Sequence, residues 1–276
     1  MDDRRPGHSQ SLERGLAILA SFTSNRPLLG TSELARRLGL SRSTTHRYLS
    51  TLHELDYLHQ DPETRKYRLG PRVLDLGFSA INSMDVREIS APYLRQLSDE
   101  TGYTVNLAIL DGTEVVYVER CRTSRVGQRE IDLNLHVGSR LPAYCTSLGK
   151  AMLAFLPDEE RDAILDRVEF SQRGPNTTLD RASLLAELAT VRRDGFSVNN
   201  EELAYGLRSI AAPTRDRTGV AVAAVNLAVH RSMVSLDDLV HRLSPPLLHA
   251  AAEISRRIGY RSGPDVAPIV AANQVA

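Results

Sequence analysis

The stretch Thr31-Ser-Glu-Leu-Ala-Arg-Arg-Leu-Gly39-Leu-Ser41-Arg-Ser-Thr-Thr-His-Arg-Tyr-Leu-Ser-Thr-Leu52 decides the fold of the N-terminal part of the chain. Leu34, Ala35 and Leu38 recur at helical spacing, and Thr31 is expected to cap this helix. Gly39 stands where a helix end calls for a residue that reaches positive φ. Ser41 then caps a second helix, whose inward stripe reads as Tyr48, Leu49, Leu52 and Leu55. Opposite that stripe stand Ser43, His46, Arg47 and Ser50, with Arg42 in the first turn. From Leu34 to His53 the chain carries four arginines (Arg36, Arg37, Arg42, Arg47) and no carboxylate. A solvated helix pair usually mixes both signs of charge. Donors and positive charge alone suit a helix-turn-helix that sets its second helix into a DNA major groove.

Upstream, Ser9 to Ser24 reads as a helix with Leu12, Leu16 and Leu19 at core spacing, after a polar arm over residues 1–8. Downstream, Tyr57 to Gln60 and Arg65 to Leu69 flank an Asp61-Pro62 turn, the pattern of a β-hairpin. Placed after a recognition helix, such a hairpin is a wing that offers Arg65, Lys66 and Arg68 to phosphates or a minor groove; a merely solvated basic hairpin fits the same residues. Pro71 opens a helix through Ser83, apolar at Val73, Leu74, Leu76, Gly77 and Ile81, suited to connect domains and to pair with a second copy.

A helix from Val86 to Thr101 precedes a change of period. Val105 to Leu110 and Val115 to Glu119 alternate around Asp111-Gly112, a strong hairpin signal. Further strands are expected at Ile131 to Val137, Phe196 to Val198, Ser209 to Pro213 and Val220 to Val229. Helices are expected at Leu148 to Leu156, Glu159 to Asp166 and Leu179 to Arg193. A last helix is expected from Leu236 to Ile258, interrupted at Pro245-Pro246, with a disordered tail over residues 262–276. Strands interleaved with helices predict an α+β body around an antiparallel sheet.

The chain has 276 residues and zero net charge, so length suggests two domains and total charge says nothing about nucleic acid. Its distribution does: the first 70 residues hold eleven Lys and Arg against eight Asp and Glu, leaving +3 there and −3 in the remainder. A basic head on an acidic body fits DNA binding joined to a second task. Cys121 and Cys145 are too few for a disulfide framework and read as reduced, partly buried thiols. Without a signal peptide or long apolar run, the chain is expected to be cytosolic and to have no membrane partner.

Motifs for catalysis are missing. There is no Gly-x-Gly-x-x-Gly, phosphate-binding loop, Gly-x-Ser-x-Gly elbow or His-Glu-x-x-His, and neither the histidines nor the cysteines have metal-like spacing. No enzyme, metal site or cofactor is expected, and adjacent Glu201 and Glu202 read as surface charge or a lid. Two stretches suggest a ligand instead. In Gly138-Ser-Arg-Leu-Pro-Ala-Tyr144-Cys-Thr-Ser147-Leu148-Gly-Lys150, a strand end runs into a helix start, where unpaired backbone N–H groups can hold a small carboxylate beside Tyr144. An ordinary capped helix fits equally well. In the second, Asn199-Asn-Glu-Glu-Leu-Ala-Tyr-Gly-Leu-Arg-Ser209-Ile-Ala-Ala-Pro213 is followed by an apolar strand interrupted by Asn226. A buried amide needs partners, and either a polar ligand or a structural hydrogen bond supplies them.

Together these stretches resemble the IclR family of bacterial transcriptional regulators from Ser9 to Tyr260. The Leu-Pro-Ala-Tyr-Cys-Thr-Ser segment is most similar to the branch of PcaR, PcaU and PobR, which regulates aromatic-acid catabolism through the β-ketoadipate pathway. The resemblance implies a winged helix-turn-helix over 9–70, a linker helix over 71–85 used in dimerisation, and a GAF-like effector domain over 86–261. It implies dimers or tetramers on palindromic operator DNA. The effector set carried over is Ser147, Leu148, Asn199, Ser209, Asn226 and Ala228, with Tyr144 added as a stacking wall. Two positions depart from the family pattern: Asn199 replaces the usual aspartate and Ser209 a common cysteine. Loss of that negative charge favours an anionic effector, with protocatechuate and 4-hydroxybenzoate the leading candidates. In the DNA-binding head, Arg42, Ser43, His46 and Arg47 are expected at base edges or nearby phosphates, and Thr44, Arg65, Lys66 and Arg68 on the backbone. Two other classes stay open: a DNA-binding protein that answers to no ligand, which no small acid would stabilise, and an enzyme acting on a small acid, which would show turnover.

Overall fold

A computed structural model describes residues 9–23, 25–82, 84–122 and 135–261. The expected N-terminal arm and C-terminal tail lie outside these. The chain forms two compact units, Met1–Ser83 and Met84–Ala276.

In the first unit, α1 (Gln10–Ala20), α2 (Thr31–Leu38) and α3 (Arg42–Glu54) precede the strands β1 (Leu58–Gln60) and β2 (Tyr67–Leu69), and α4 (Arg72–Asn82) follows. Ile18, Phe22, Leu29, Leu34, Leu49, Leu58 and Tyr67 make the core. Gly39 ends α2 at φ 64°, and the Ser41 side chain accepts from Thr44 N at the start of α3. Three expectations need correction. Thr31 is already inside α2, whose cap residue is Gly30 with no side-chain bond. Leu55 lies at the C-cap of α3 and is exposed, because the helix ends before it can turn inward; Thr45 is buried instead. On α1 the core residue is Ile18, whereas Leu12 and Leu16 are 64% and 57% exposed.

The second unit opens with α5 (Asp85–Thr101), then β3 (Thr104–Asp111), β4 (Glu114–Cys121) and β5 (Arg140–Pro142). A 3-10 turn at Ala143–Cys145 leads into α6 (Ser147–Leu153), α7 (Asp158–Leu165) and α8 (Arg181–Asp194). Then come β6 (Ser197–Asn200), β7 (Leu207–Arg215), β8 (Ala221–His230), α9 (Leu236–His241) and α10 (Ser244–Ile258). The strands form one six-stranded antiparallel sheet in the order β5-β4-β3-β8-β7-β6. Alternation assigns its two faces. Leu107, Ile210, Val225 and Leu227 pack with residues of α5 and α10, whereas Ala108, Tyr117, Ala211 and Ala224 pack with residues of α6 and α8.

The strand expected at Ile131 to Val137 lies outside the described residues up to Asn134; Leu135 to Val137 are not strand, and the pairing segment is β5. The expected interrupted C-terminal helix is two helices, since Pro245 and Pro246 occupy the first turn of α10, where a missing N–H costs nothing. No described helix is long and apolar enough to cross a membrane.

Candidate DNA-reading helix and buried polar face

On α3, Arg42, Ser43, His46 and Arg47 are exposed and Thr44 is half-buried. Neither Arg42 nor Arg47 forms an ion pair with a described residue, so their charge is offered outward. Ser41 Oγ lies 3.1 Å from Ser43 Oγ and donates to Thr44 Oγ1 at 2.8 Å, which orders the first turn. The hairpin is equally well built. Asp61 accepts from Thr64 N and Thr64 Oγ1, both at 2.7 Å, and those bonds hold its carboxyl below the usual range. Arg65 adopts φ 57°, and Gln60 donates to its carbonyl at 3.0 Å. Buried Tyr67 anchors β2, leaving Arg65, Lys66 and Arg68 in solvent.

In the second unit, strand register assembles the carried-over residues. Asn199, Ser209, Ala228 and Thr104 are successive partners across β6, β7, β8 and β3. Two residues along each strand, and so on the same face, lie Ser197, Ala211, Asn226, Asn106 and Arg120. A third row, two residues further along β7, β8 and β3 and three along β4 because the register shifts between Leu107 and Ala108, holds Pro213, Ala224, Ala108 and Tyr117. The start of α6 covers the first rows: Ser147 Oγ is 2.7 Å from Ser209 Oγ, and Ser197 Oγ donates to the Ser147 carbonyl at 2.6 Å. Leu148 is buried in the core beside them, and Ala228 is half-buried.

Each polar group has a specific arrangement. Asn199 Nδ2 donates to the Cys145 carbonyl at 2.6 Å, a bond an ionised aspartate could not make. Asn106 Nδ2 donates to Asn226 Oδ1 at 2.8 Å, but buried Asn106 Oδ1 has no partner. An unpaired buried acceptor costs about 1–3 kcal/mol, so a donor from a ligand or an ordered water that reached this oxygen would be held there. The Tyr144 hydroxyl is occupied, donating to the Ser171 carbonyl at 2.7 Å and accepting from Ser171 N at 3.1 Å, with its ring edge-on to Phe170. Thr146 Oγ1 accepts from Gly149 N at 3.1 Å, so α6 has an ordinary side-chain cap.

Glu201 and Glu202 are not surface charge: both are buried. Lys150, also buried, brings its Nζ 2.6 and 2.7 Å from the Glu202 carboxylate and 2.9 Å from Glu187. Burial pushes the Glu202 carboxyl above its usual range, against the pull of Lys150. Glu201 takes Gly206 N at 2.9 Å and Arg231 at 3.1 Å, which lower its carboxyl. These bonds fix the β6–β7 connection beside Asn199. Cys145 is a buried free thiol pushed up to about 11 by burial; Cys121 is free and partly buried. Among the described residues no three His, Cys, Asp or Glu cluster as metal ligands. Sequence reading missed Asn106 and Tyr117, although Asn106 carried a signal: a polar residue between Val105 and Leu107, like Asn226 in its own strand.

Comparison with known proteins matches this architecture. Residues 11–62 match the IclR helix-turn-helix domain, and residues 78–256 match the bacterial transcriptional regulator IclR C-terminal family. The Pca regulon regulatory protein of Pseudomonas putida is 36% identical over 92% of this chain and 85% of its own. A crystal structure of a transcriptional regulator from Rhodococcus sp. RHA1 is 39% identical, with TM-score 0.79 over 91% of this chain and 98% of that one. The crystal structure of an IclR homologue from Microbacterium hydrocarbonoxydans in complex with 4-hydroxybenzoate is 25% identical, with TM-score 0.77 over 90% and 99%. The chain belongs to the IclR family of bacterial transcriptional regulators: it combines a helix-turn-helix with an effector-binding C-terminal domain and is a regulator, not an enzyme.

Proposed function

We propose that this IclR-family regulator is a homodimer that binds a palindromic operator and is controlled by a small aromatic carboxylate, protocatechuate or 4-hydroxybenzoate, for an aromatic-catabolism operon. The observation that carries the DNA half is the outward face of α3, with exposed Arg42, Ser43, His46 and Arg47 and no neutralising carboxylate between Leu34 and His53. In this reading those four residues meet base edges or nearby phosphates, while Thr44, Arg65, Lys66 and Arg68 hold the backbone. Residues 9–70 serve as the reading head, 71–85 as the linker and 86–261 as the effector domain. Exposed Leu12 and Leu16 on α1 and Leu74 and Leu76 on α4 supply the apolar surface for a second copy. Two heads on a twofold axis then meet half-sites about 34 Å apart, or a multiple of that.

For the effector, support comes from the polar rows on one sheet face, with Ser147, Leu148, Asn199, Ser209, Asn226 and Ala228 as contacts and Tyr144 as the adjoining wall. The Pca regulon and 4-hydroxybenzoate relatives favour an aromatic acid. Such a ligand regulates only through different affinities for DNA-competent and DNA-incompetent states. Footprinting of wild-type and Arg47→Ala protein tests the head: a loss of about 1–3 kcal/mol with relaxed base preference is expected if Arg47 reads guanine. Undiminished binding by the variant refutes it. Thermal shift with protocatechuate and 4-hydroxybenzoate tests the effector half; an acid at 100 times its Kd stabilises by about 2.7 kcal/mol, and no shift with either acid refutes the assignment.

A further inference from the structure

We propose that the ligand of the buried polar face is a hydroxylated carboxylate, and that Asn106 and Tyr117 are the residues that read its hydroxyl group. The proposal rests on the effector reading above, whose two candidate acids are both hydroxylated, and adds the residues that select for the hydroxyl. Asn106 is almost wholly buried, spends its amide N–H on Asn226 Oδ1, and keeps an unpartnered carbonyl oxygen. That oxygen accepts only from O–H or N–H; a ligand ether, ketone or carboxylate meets it lone pair to lone pair. If both amides were turned over, the free acceptor would pass to Asn226 and Asn106 would offer N–H; the pair as a whole would still call for a group that donates to one amide and accepts from the other, as a hydroxyl does.

The second observation is Tyr117. Its strand partner is Ala108, two residues beyond Asn106 on β3, so both side chains rise from one sheet face. The tyrosine is buried in the cluster that includes Leu148 and Ala211, yet its hydroxyl makes no hydrogen bond to a described residue. Burial pushes that hydroxyl up to about 12, keeping it protonated and able both to donate and to accept. Arg120 faces Asn106 in register, and its charge reaches the Tyr117 hydroxyl. Between the two polar positions the face carries Ala108, Ala211 and Ala224, apolar surface that offers a deoxy ligand no compensating hydrogen bond.

Phenolic acids and sugar acids both supply a hydroxyl and a carboxylate, so the test has two arms. Titration calorimetry on the full chain compares 4-hydroxybenzoate with benzoate, and gluconate with hexanoate. At least one hydroxy acid should bind about tenfold or more tighter than its deoxy partner, since a site built to pair a hydroxyl rejects the analogue lacking it. The arm that shows the ratio identifies the source. Tyr117→Phe removes a single oxygen and should lower that ratio at least threefold; Asn106→Leu should lower it further, with circular dichroism and thermal midpoint checking the fold. If Asn106→Leu does not fold, Tyr117→Phe decides alone. Saturable binding with equal affinity for hydroxy and deoxy acids, or a ratio unchanged by Tyr117→Phe, overturns the proposal while leaving the effector reading intact. Binding of none of the four acids overturns the proposal, and the thermal shift with protocatechuate then decides the effector reading by itself.

Discussion

Replacing Gly149 by alanine should destabilise the second unit, although alanine is the better helix former by about 1 kcal/mol in a helix interior. The reason is proximity. An added Cβ would lie 2.1 Å from the Ala143 carbonyl oxygen and 2.4 Å from Ala143 Cα, both backbone atoms that cannot rotate away. Relief requires α6 and the preceding turn to separate by about 1 Å, an overpacking that costs about 1–3 kcal/mol. The same movement strains the Thr146 cap at 3.1 Å and the Ser147–Ser209 contact at 2.7 Å, each worth about 1 kcal/mol. The opposing terms leave a net loss of about 1–3 kcal/mol. Urea unfolding followed by circular dichroism should show a lower midpoint with unchanged slope, and small-acid binding should weaken because Ser147 and Leu148 move with the helix. A midpoint equal to or above wild type would show that the turn yields freely and would refute the reasoning.

Lys150→Met should cost about 3–5 kcal/mol, because it leaves Glu202 charged and buried; denaturant titration reads the loss, and an unchanged midpoint would mean that Glu202 is neutral or hydrated there. Burial raises the native Glu202 carboxyl, so its contribution to stability is full below the unfolded value of about 4.3 and is lost as pH rises through the native value. The thermal midpoint of wild type should therefore fall relative to Glu202→Gln as pH climbs above that range, and a rising difference would reverse the sign. With an aromatic disulfide reagent at pH 8, Cys121 should label before Cys145, whose thiol is buried and pushed up to about 11; equal native rates would contradict that burial. Leu16→Glu combined with Leu74→Glu should shift sedimentation from dimer to monomer, and an unchanged dimer would move the interface elsewhere.

Local signals were legible wherever a few neighbouring residues set the geometry. Gly39 and Ser41 marked the turn and cap of the reading helices, and Asp111-Gly112 marked the β3–β4 connection. What failed was non-local. Leu12 and Leu16 repeat as core residues do, yet the described chain leaves them uncovered, since periodicity alone cannot tell a buried apolar stripe from an exposed one. Glu201 and Glu202 looked like loop charge because the lysine that pairs with Glu202 lies 52 residues earlier. Asn106 and Tyr117 were overlooked for the same reason: only strand order puts them on the face with Asn226 and Ser209. Family likeness named residues along β6, β7 and β8, which strand register sets on one face, whereas the polar positions on β3 and β4 needed coordinates.

The middle of the sheet joins β3 to β8, and the Asn106–Asn226 bond there spans 120 residues. During synthesis, the β3–β4 hairpin therefore waits with one edge bare until almost the whole second unit has left the ribosome. Loop closure over that distance makes the central pairing a late and slow event, and an exposed strand edge is where nascent chains associate wrongly. Truncation before Ala221 should accordingly yield not a smaller sheet but a chain that seeks chaperones, and the two buried asparagines come together only when the last strand arrives.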